Sequence, residues 1–203
     1  MDNGFGNDPH SERGHACPKN VFGYTDYRQV QLVEAVFVSR RGAQLEDMGV
    51  TGSFDLAHLR AIHRFLFRDV FPWAGEFRVV NISKGNSTFG PAVHIAGALL
   101  DALEKLKGEG LLVGLGSAEL ARRAAFYLGE INAIHPFREG NGRAQREFIR
   151  QLSVNASRPL SWAGFSQEAM VHASIASHMV GDNSALAAML EAALDSTRAL
   201  EGG

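Results

Sequence analysis

Apolar positions return at a helical interval along most of the chain, and the breaks between them divide it into elements. Val30, Val33, Val36 and Phe37 suggest a first helix over about 26–41, lying against the outside of the domain, with a connecting loop over 42–52. Leu56, Leu59, Ile62, Phe65, Leu66 and Val70 form a wide apolar face on a second helix, which Ser53 or Asp55 can cap and Pro72 ends. Pro91 suits the first turn of a third helix striped by Ile95, Leu99, Leu103 and Leu106. After a turn over 108–116, Ser117 can cap a long helix carrying Leu120, Ala124, Leu128 and Ile131. Pro136 disfavours helical backbone at the residue before it, so this helix should end near His135. Ala144, Phe148, Ile149 and Leu152 restart the period, Arg158-Pro159 breaks it, and two helices follow over about 167–180 and 184–197. Ala187, Leu190, Ala193 and Leu194 pack the last of them.

One segment has strand character instead. Phe77, Val79, Val80 and Ile82 run into Ser83-Lys84-Gly85-Asn86, followed by Ser87, Thr88 and Phe89. Glycine beside asparagine between extended runs marks a hairpin tip. A lone hairpin is marginal, so it must lean on the helices or await a partner strand. The expectation is an all-α domain with one small β-hairpin.

Composition narrows the class. The 203 residues fit one domain with a substantial core, and 45% hydrophobic with 21% charged residues is ordinary for a globular chain. The formal charge of -2 supplies no general attraction for nucleic acid or anionic membrane, so neither is expected as a partner. A single cysteine, Cys17, excludes an intramolecular disulfide. Residues 1–20 are rich in Gly, Asn, Asp and His and read as a flexible tail, neither signal peptide nor anchor. No apolar run approaches spanning length, and a cytoplasmic location is expected. His10 and His15 lack the spacing of a metal pair. His58 and His63 stand five apart on different helix faces, as packing or surface residues, and His172 and His178 are isolated.

The chemistry concentrates between two helices, in His135-Pro136-Phe137-Arg138-Glu139-Gly140-Asn141-Gly142-Arg143-Ala144-Gln145-Arg146. Gly140 and Gly142 can take backbone angles closed to other residues and let a ligand approach the main chain. Successive N–H groups at the positive end of a helix form an anion site. Arg143 and Arg146, three apart on the new helix, share a face and can clamp phosphate oxygens. Glu139 is the nearby group able to hold Mg²⁺, which favours one or two carboxylates plus substrate phosphates. His135 titrates near neutrality and suits a general base. A plain helix cap needs neither the carboxylate nor the imidazole, so the cluster points to a phosphate-binding loop with a base.

This loop resembles the signature of the Fic family, H-x-F-x-[D/E]-G-N-G-R-x-x-R. Every specified position is matched: His135, Phe137, Glu139, Gly140, Asn141, Gly142, Arg143 and Arg146. The similarity extends over about 54–194, within a single domain over 21–203, and takes in Trp73-Ala74-Gly75 and the hairpin after it. The resemblance, nearest to compact bacterial toxins of the family, implies transfer of AMP from ATP to a serine, threonine or tyrosine hydroxyl of a target protein. By the same resemblance His135 would take the hydroxyl proton and Glu139 would hold Mg²⁺ between the α- and β-phosphates. Gly140 and Gly142 with the Asn141 amide would cradle the phosphates, while Arg143 and Arg146 would steady the β- and γ-phosphates. Ile82, Ser83, Lys84, Gly85 and Phe89 would form a flap that docks the target by strand addition.

Family members are often restrained by a helix carrying [S/T]-x-x-x-E-[G/N], whose Glu pairs with the second motif arginine, here Arg146. Thr197 and Glu201, before Gly202, match that short pattern. No Gly or Pro lies between Ser184 and Glu201 to turn the chain back, which favours restraint by a separate small antitoxin. DNA gyrase or topoisomerase IV subunits are the first targets the resemblance suggests. A related Fic/Doc transferase of phosphate or phosphocholine, or a non-catalytic nucleotide-binding module, remains an alternative.

Overall fold

The computed structural model describes residues 8–12, 15–85 and 87–201, with the side chains of 195–201 outside the description. Among these, seven α-helices and one two-stranded hairpin follow in order: α1 (Tyr27–Met48), α2 (Leu56–Phe67), β1 (Ser83–Lys84), β2 (Ser87–Thr88), α3 (Ile95–Gly108), α4 (Ser117–Ile134), α5 (Asn141–Asn155), α6 (Gln167–Val180) and α7 (Ser184–Glu201). The fold is all-α, as the periodicity implies.

The helix α4 is the axis. It contacts α3, α5, α6 and, most extensively, α7. The stripe of Leu120, Ala124, Leu128 and Ile131 is buried, and so is a second face of Ala121, Ala125 and Tyr127. A helix apolar on more than one side must lie inside the bundle. Small side chains let its neighbours close in: a Cβ on Gly129 would fall 2.6 Å from both Ser177 Oγ and Asn183 Oδ1. The chain thus delivers His135 from the most firmly held element in the domain.

Local signals account for most helix ends. Asp55 caps α2 by accepting from His58 N at 2.8 Å, and Ser166 caps α6 by accepting from Ala169 N at 3.1 Å. Ser117 makes no cap; Gly116 occupies that position, and Ser117 Oγ accepts from Arg158 Nη1 at 3.3 Å. Pro91 precedes a short 3-10 turn, Ala92–His94, that leads into α3.

Two expectations need correction. The first helix continues through Gly42 to Met48, because one mid-helix glycine costs only about 1 kcal/mol; Gly49, at φ +63°, ends it. Its buried face is Val30, Glu34, Val38 and Leu45, whereas Val36 is exposed. The helix therefore sends a carboxylate inward, toward α5, rather than lying on the outside. The second correction concerns 8–20. Asp8, His10, Ser11, Cys17 and Asn20 are buried, and Trp73 Nε1 donates to Lys19 O at 2.8 Å. Over its described part this segment is a packed strap, held by polar contacts that a hydropathy pattern cannot register.

The strand character is realised in only two residue pairs, Ser83 with Thr88 and Lys84 with Ser87. The run before them forms no strand and bends at Val79 and Val80. Its Arg78 N bonds instead to Pro136 O at 2.9 Å, in the α4–α5 loop. Among the described residues no helix is long and apolar enough to cross a membrane.

Candidate active site

The α4–α5 loop is shaped from within. His135 caps α4 in the left-handed conformation, φ +50°, with its N–H donating to Ile131 O at 2.9 Å. Phe137 is fully buried, its ring stacked 3.8 Å from that of His63. Asn141 closes the turn: its Oδ1 accepts from Phe137 N at 2.8 Å and its Nδ2 donates to Phe137 O at 2.7 Å. The expectation that the Asn141 amide touches phosphate is corrected for its side chain, which is buried and occupied by both main-chain groups of Phe137. Gly140, at φ +78°, caps α5, and a Cβ there would lie 2.3 Å from Phe67 Cζ. Asn141 and Gly142 then begin a 15-residue helix, whose first N–H groups form its positive end. A Cβ on Gly142 would crowd Arg146 Nη1 at 3.3 Å.

His135 has the tautomer and charge state that a general base needs. Its Nδ1 lies 3.2 Å from Asn132 O, a carbonyl that can only accept, so Nδ1 carries the proton and Nε2 keeps its lone pair. Phe89 stacks on the imidazole at 3.7 Å with an interplanar angle of 14°. Burial, helped by the charges of Arg78, Lys84 and His178, pushes its pKa down to about 4 against the Asn132 bond, and the ring is neutral at pH 7.

Around it stand one carboxylate and two arginines. Glu139 is half-buried, bonded to the Tyr27 side chain and 3.5 Å from Arg138 Nη1; burial pushes its pKa up. Its carbonyl accepts from His63 Nε2 at 3.0 Å, while His63 Nδ1 accepts from Gly75 N at 2.8 Å. Full burial pushes the His63 pKa down to about 3. Arg138 is anchored to the strap, its Nε donating to Asp8 Oδ2 at 2.7 Å. Arg143 donates to buried Glu34 of α1 and places its Cζ 4.8 Å from the centroid of the Phe67 ring. Among the described residues the Arg146 guanidinium has no hydrogen-bond or ion-pair partner, and burial beside Arg143 holds its pKa below the usual range. Both arginines line a cleft of about 560 Å³ whose walls include Val38, Gly42, Arg150 and Trp162. A half-buried cation without an internal partner, beside the first N–H groups of a helix, has the chemistry to receive an anion.

Comparison with known proteins decides the family. Residues 53–153 match the model of the Fic/DOC family. A probable protein adenylyltransferase Fic of Salmonella typhimurium is 37% identical over 200 residues, 98% of this chain and 98% of its own length. The chain belongs to the Fic/DOC family. The protein adenylyltransferase VbhT of Bartonella schoenbuchensis is 38% identical over 91% of this chain, which spans only 38% of that longer protein. A crystal structure of the N-terminal Fic domain of a Bartonella quintana effector, with bound ADP, superposes with TM-score 0.83 at 26% identity, covering 91% of this chain and 93% of that one.

Within this Fic fold the expected site residues fall into three groups. His135, Glu139, Gly140, Gly142, Arg143 and Arg146 share one loop and the first turns of one helix. Among the flap residues, Ser83, Lys84 and Gly85 are exposed and Ile82 is half-buried, but Phe89 turns inward onto His135. Thr197 and Glu201 lie on an uninterrupted α7, with their side chains outside the described part, and Gly202 lies outside the described residues. Sequence reasoning missed Tyr27, Glu34, Arg78 and Asn132 and undervalued His63. Glu34 had a signal, since it stands midway between Val30 and Val38 in the helical register and so on their buried face.

Proposed function

We propose that this chain transfers AMP from ATP to a hydroxyl side chain of a target protein, with His135 as general base. One observation carries this reading: a neutral imidazole with a free Nε2, fixed at the end of α4, directly precedes an amide and arginine anion site. The relatives named protein adenylyltransferases and the ADP-bound Fic domain agree with it. The target hydroxyl oxygen forms a bond to the α-phosphorus, its proton passes to Nε2, and the bond to the bridging oxygen breaks so that pyrophosphate leaves. Arg143 steadies the β-phosphate and Arg146 the γ-phosphate. Positioning and electrostatics supply most of the rate in such a transfer.

The donor set fits Mg²⁺ in one specific way. Among the described residues no group of three or more His, Cys, Asp or Glu could hold a metal ion, which leaves Glu139 with the ATP phosphates as ligands. The raised pKa of Glu139 marks a carboxylate that its neighbours do not fully compensate. When bound, the ion would neutralise phosphate charge.

The hairpin edge of Ile82, Ser83, Lys84 and Gly85, of which the last three residues are exposed, receives an extended segment of the target, a type II topoisomerase subunit being the first to test. We read the protein as the cytoplasmic toxin of a toxin–antitoxin pair. A separate antitoxin helix reaching the cleft beside Arg146 suits the structure better than restraint by Thr197 and Glu201, because α7 runs on without a turn. Deleting residues 195–203 is expected to leave auto-modification unchanged; a gain in activity would instead make those residues the brake.

The direct test is incubation with ATP labelled at the α- or γ-phosphate. Label should reach protein from the α position alone. The His135→Ala variant should bind AMPPNP normally but transfer about 10²–10⁴-fold more slowly. Transfer of the γ label would assign a phosphotransferase instead, and no transfer at all a nucleotide-binding module.

A further inference from the structure

Arg78 is an arginine only 1% exposed, and among the described residues no carboxylate pairs with it. Its guanidinium instead reaches four backbone carbonyls: Nε donates to His135 O at 2.8 Å, Nη1 to Val80 O at 2.7 Å, and Nη2 to Gly90 O at 2.5 Å and Ile134 O at 3.0 Å. A buried cation without a counter-ion is costly, and only oriented dipoles can offset that. Two of the four are the last carbonyls of α4 and its cap, the negative end of that helix. The other two flank the hairpin, Val80 before it and Gly90 after it. A cap for α4 would account for the first two bonds but not for the second two.

We infer that Arg78 is a positioning residue that ties both roots of the hairpin to the carbonyl of His135, and so sets where a docked hydroxyl meets Nε2. The inference rests on the proposed role of His135 as base. Main-chain bonds follow the same path, from Arg78 N to Pro136 O at 2.9 Å and from Gly90 N to Ala133 O at 3.1 Å. Phe89, next to Gly90, is the ring stacked on His135, so freeing Gly90 also loosens the base. Among the described residues the Arg78 guanidinium makes no hydrogen bond to Glu139, Arg143 or Arg146, so its loss should act on the His135 side of the site before the phosphate side.

Arg78→Lys and Arg78→Gln test this, beside wild type and His135→Ala. Lysine keeps the charge but gathers its donors on one nitrogen, and glutamine keeps two donors without the charge; neither can span all four carbonyls. Thermal unfolding checks the fold, calorimetry gives the AMPPNP Kd, and transfer kinetics give kcat. A folded variant should lose about 10–100-fold in kcat, the scale of a 1 Å misplacement, while its AMPPNP Kd stays within about threefold of wild type. Amide hydrogen exchange at 83–88 should quicken in the same variant. Unchanged kcat, or equal losses in kcat and nucleotide affinity, would overturn the proposal, and failure of both variants to fold would confine Arg78 to stability. Transfer that survives His135→Ala, or is missing in wild type, would overturn the base assignment and this inference with it, whereas Arg78 variants as active as wild type would overturn the inference alone.

Discussion

Replacing Gly140 by alanine puts two costs at one atom. The backbone there stands at φ +78°, and a left-handed conformation costs an alanine roughly 1–2 kcal/mol. The new Cβ would also lie 2.3 Å from Phe67 Cζ and 2.5 Å from Cε2. Phe67 cannot withdraw, being fully buried, with the His63 ring at 4.6 Å, the Phe71 ring at 5.9 Å and the Arg143 guanidinium at 4.8 Å from its centroid. Forcing extra volume into such a site costs about 1–3 kcal/mol. The sum, about 2–5 kcal/mol, is a large share of the roughly 5–15 kcal/mol that holds a domain folded. Urea unfolding should register that loss, unless the loop moves to relieve it and calorimetry shows weakened AMPPNP binding. Adding Phe67→Leu trims the obstructing ring tip but leaves the backbone strain. The double variant should therefore be less destabilised than the sum of the singles by about 1–3 kcal/mol. A G140A protein within about 0.5 kcal/mol of wild type with unchanged affinity would refute the reasoning, and strict additivity would refute its steric half.

The remaining predictions concern charge. With its pKa held near 4, His135 should keep the transfer rate level from pH 8 down to about 5; a half-loss at the ordinary histidine value of 6.5 would contradict the burial argument. His63 and His135 are both neutral when folded and take up protons on unfolding below about pH 6.5. Their contribution to stability is complete above that pH and shrinks as it falls, toward about 4 for His135 and about 3 for His63. A urea midpoint that does not drop between pH 7 and 4.5 would exclude this linkage. Asp8→Ala removes the nearer of the two carboxylates beside Arg138, whose side chain is 11% exposed and keeps Glu139 at 3.5 Å, and should cost about 1–3 kcal/mol in urea unfolding; a neutral outcome would show that the strap does not hold the loop.

Much of the molecule was legible from spacing alone. Leu120, Ala124, Leu128 and Ile131 announced α4, Pro136 its end, and Gly140 with Gly142 the turn that starts α5, because helix period, proline sterics and glycine's backbone freedom are properties of neighbouring residues. Tertiary structure alone revealed which groups meet across long stretches of chain. It brought Glu34 to Arg143, Asp8 to Arg138 and Tyr27 to Glu139, turned Phe89 onto His135, and spent the Asn141 amide inside the loop. Periodicity reports which face of a helix avoids water but says nothing about which polar group will compensate another. Burial takes water away from both, so each must find its partner in three dimensions, and only the packed chain specifies that pairing.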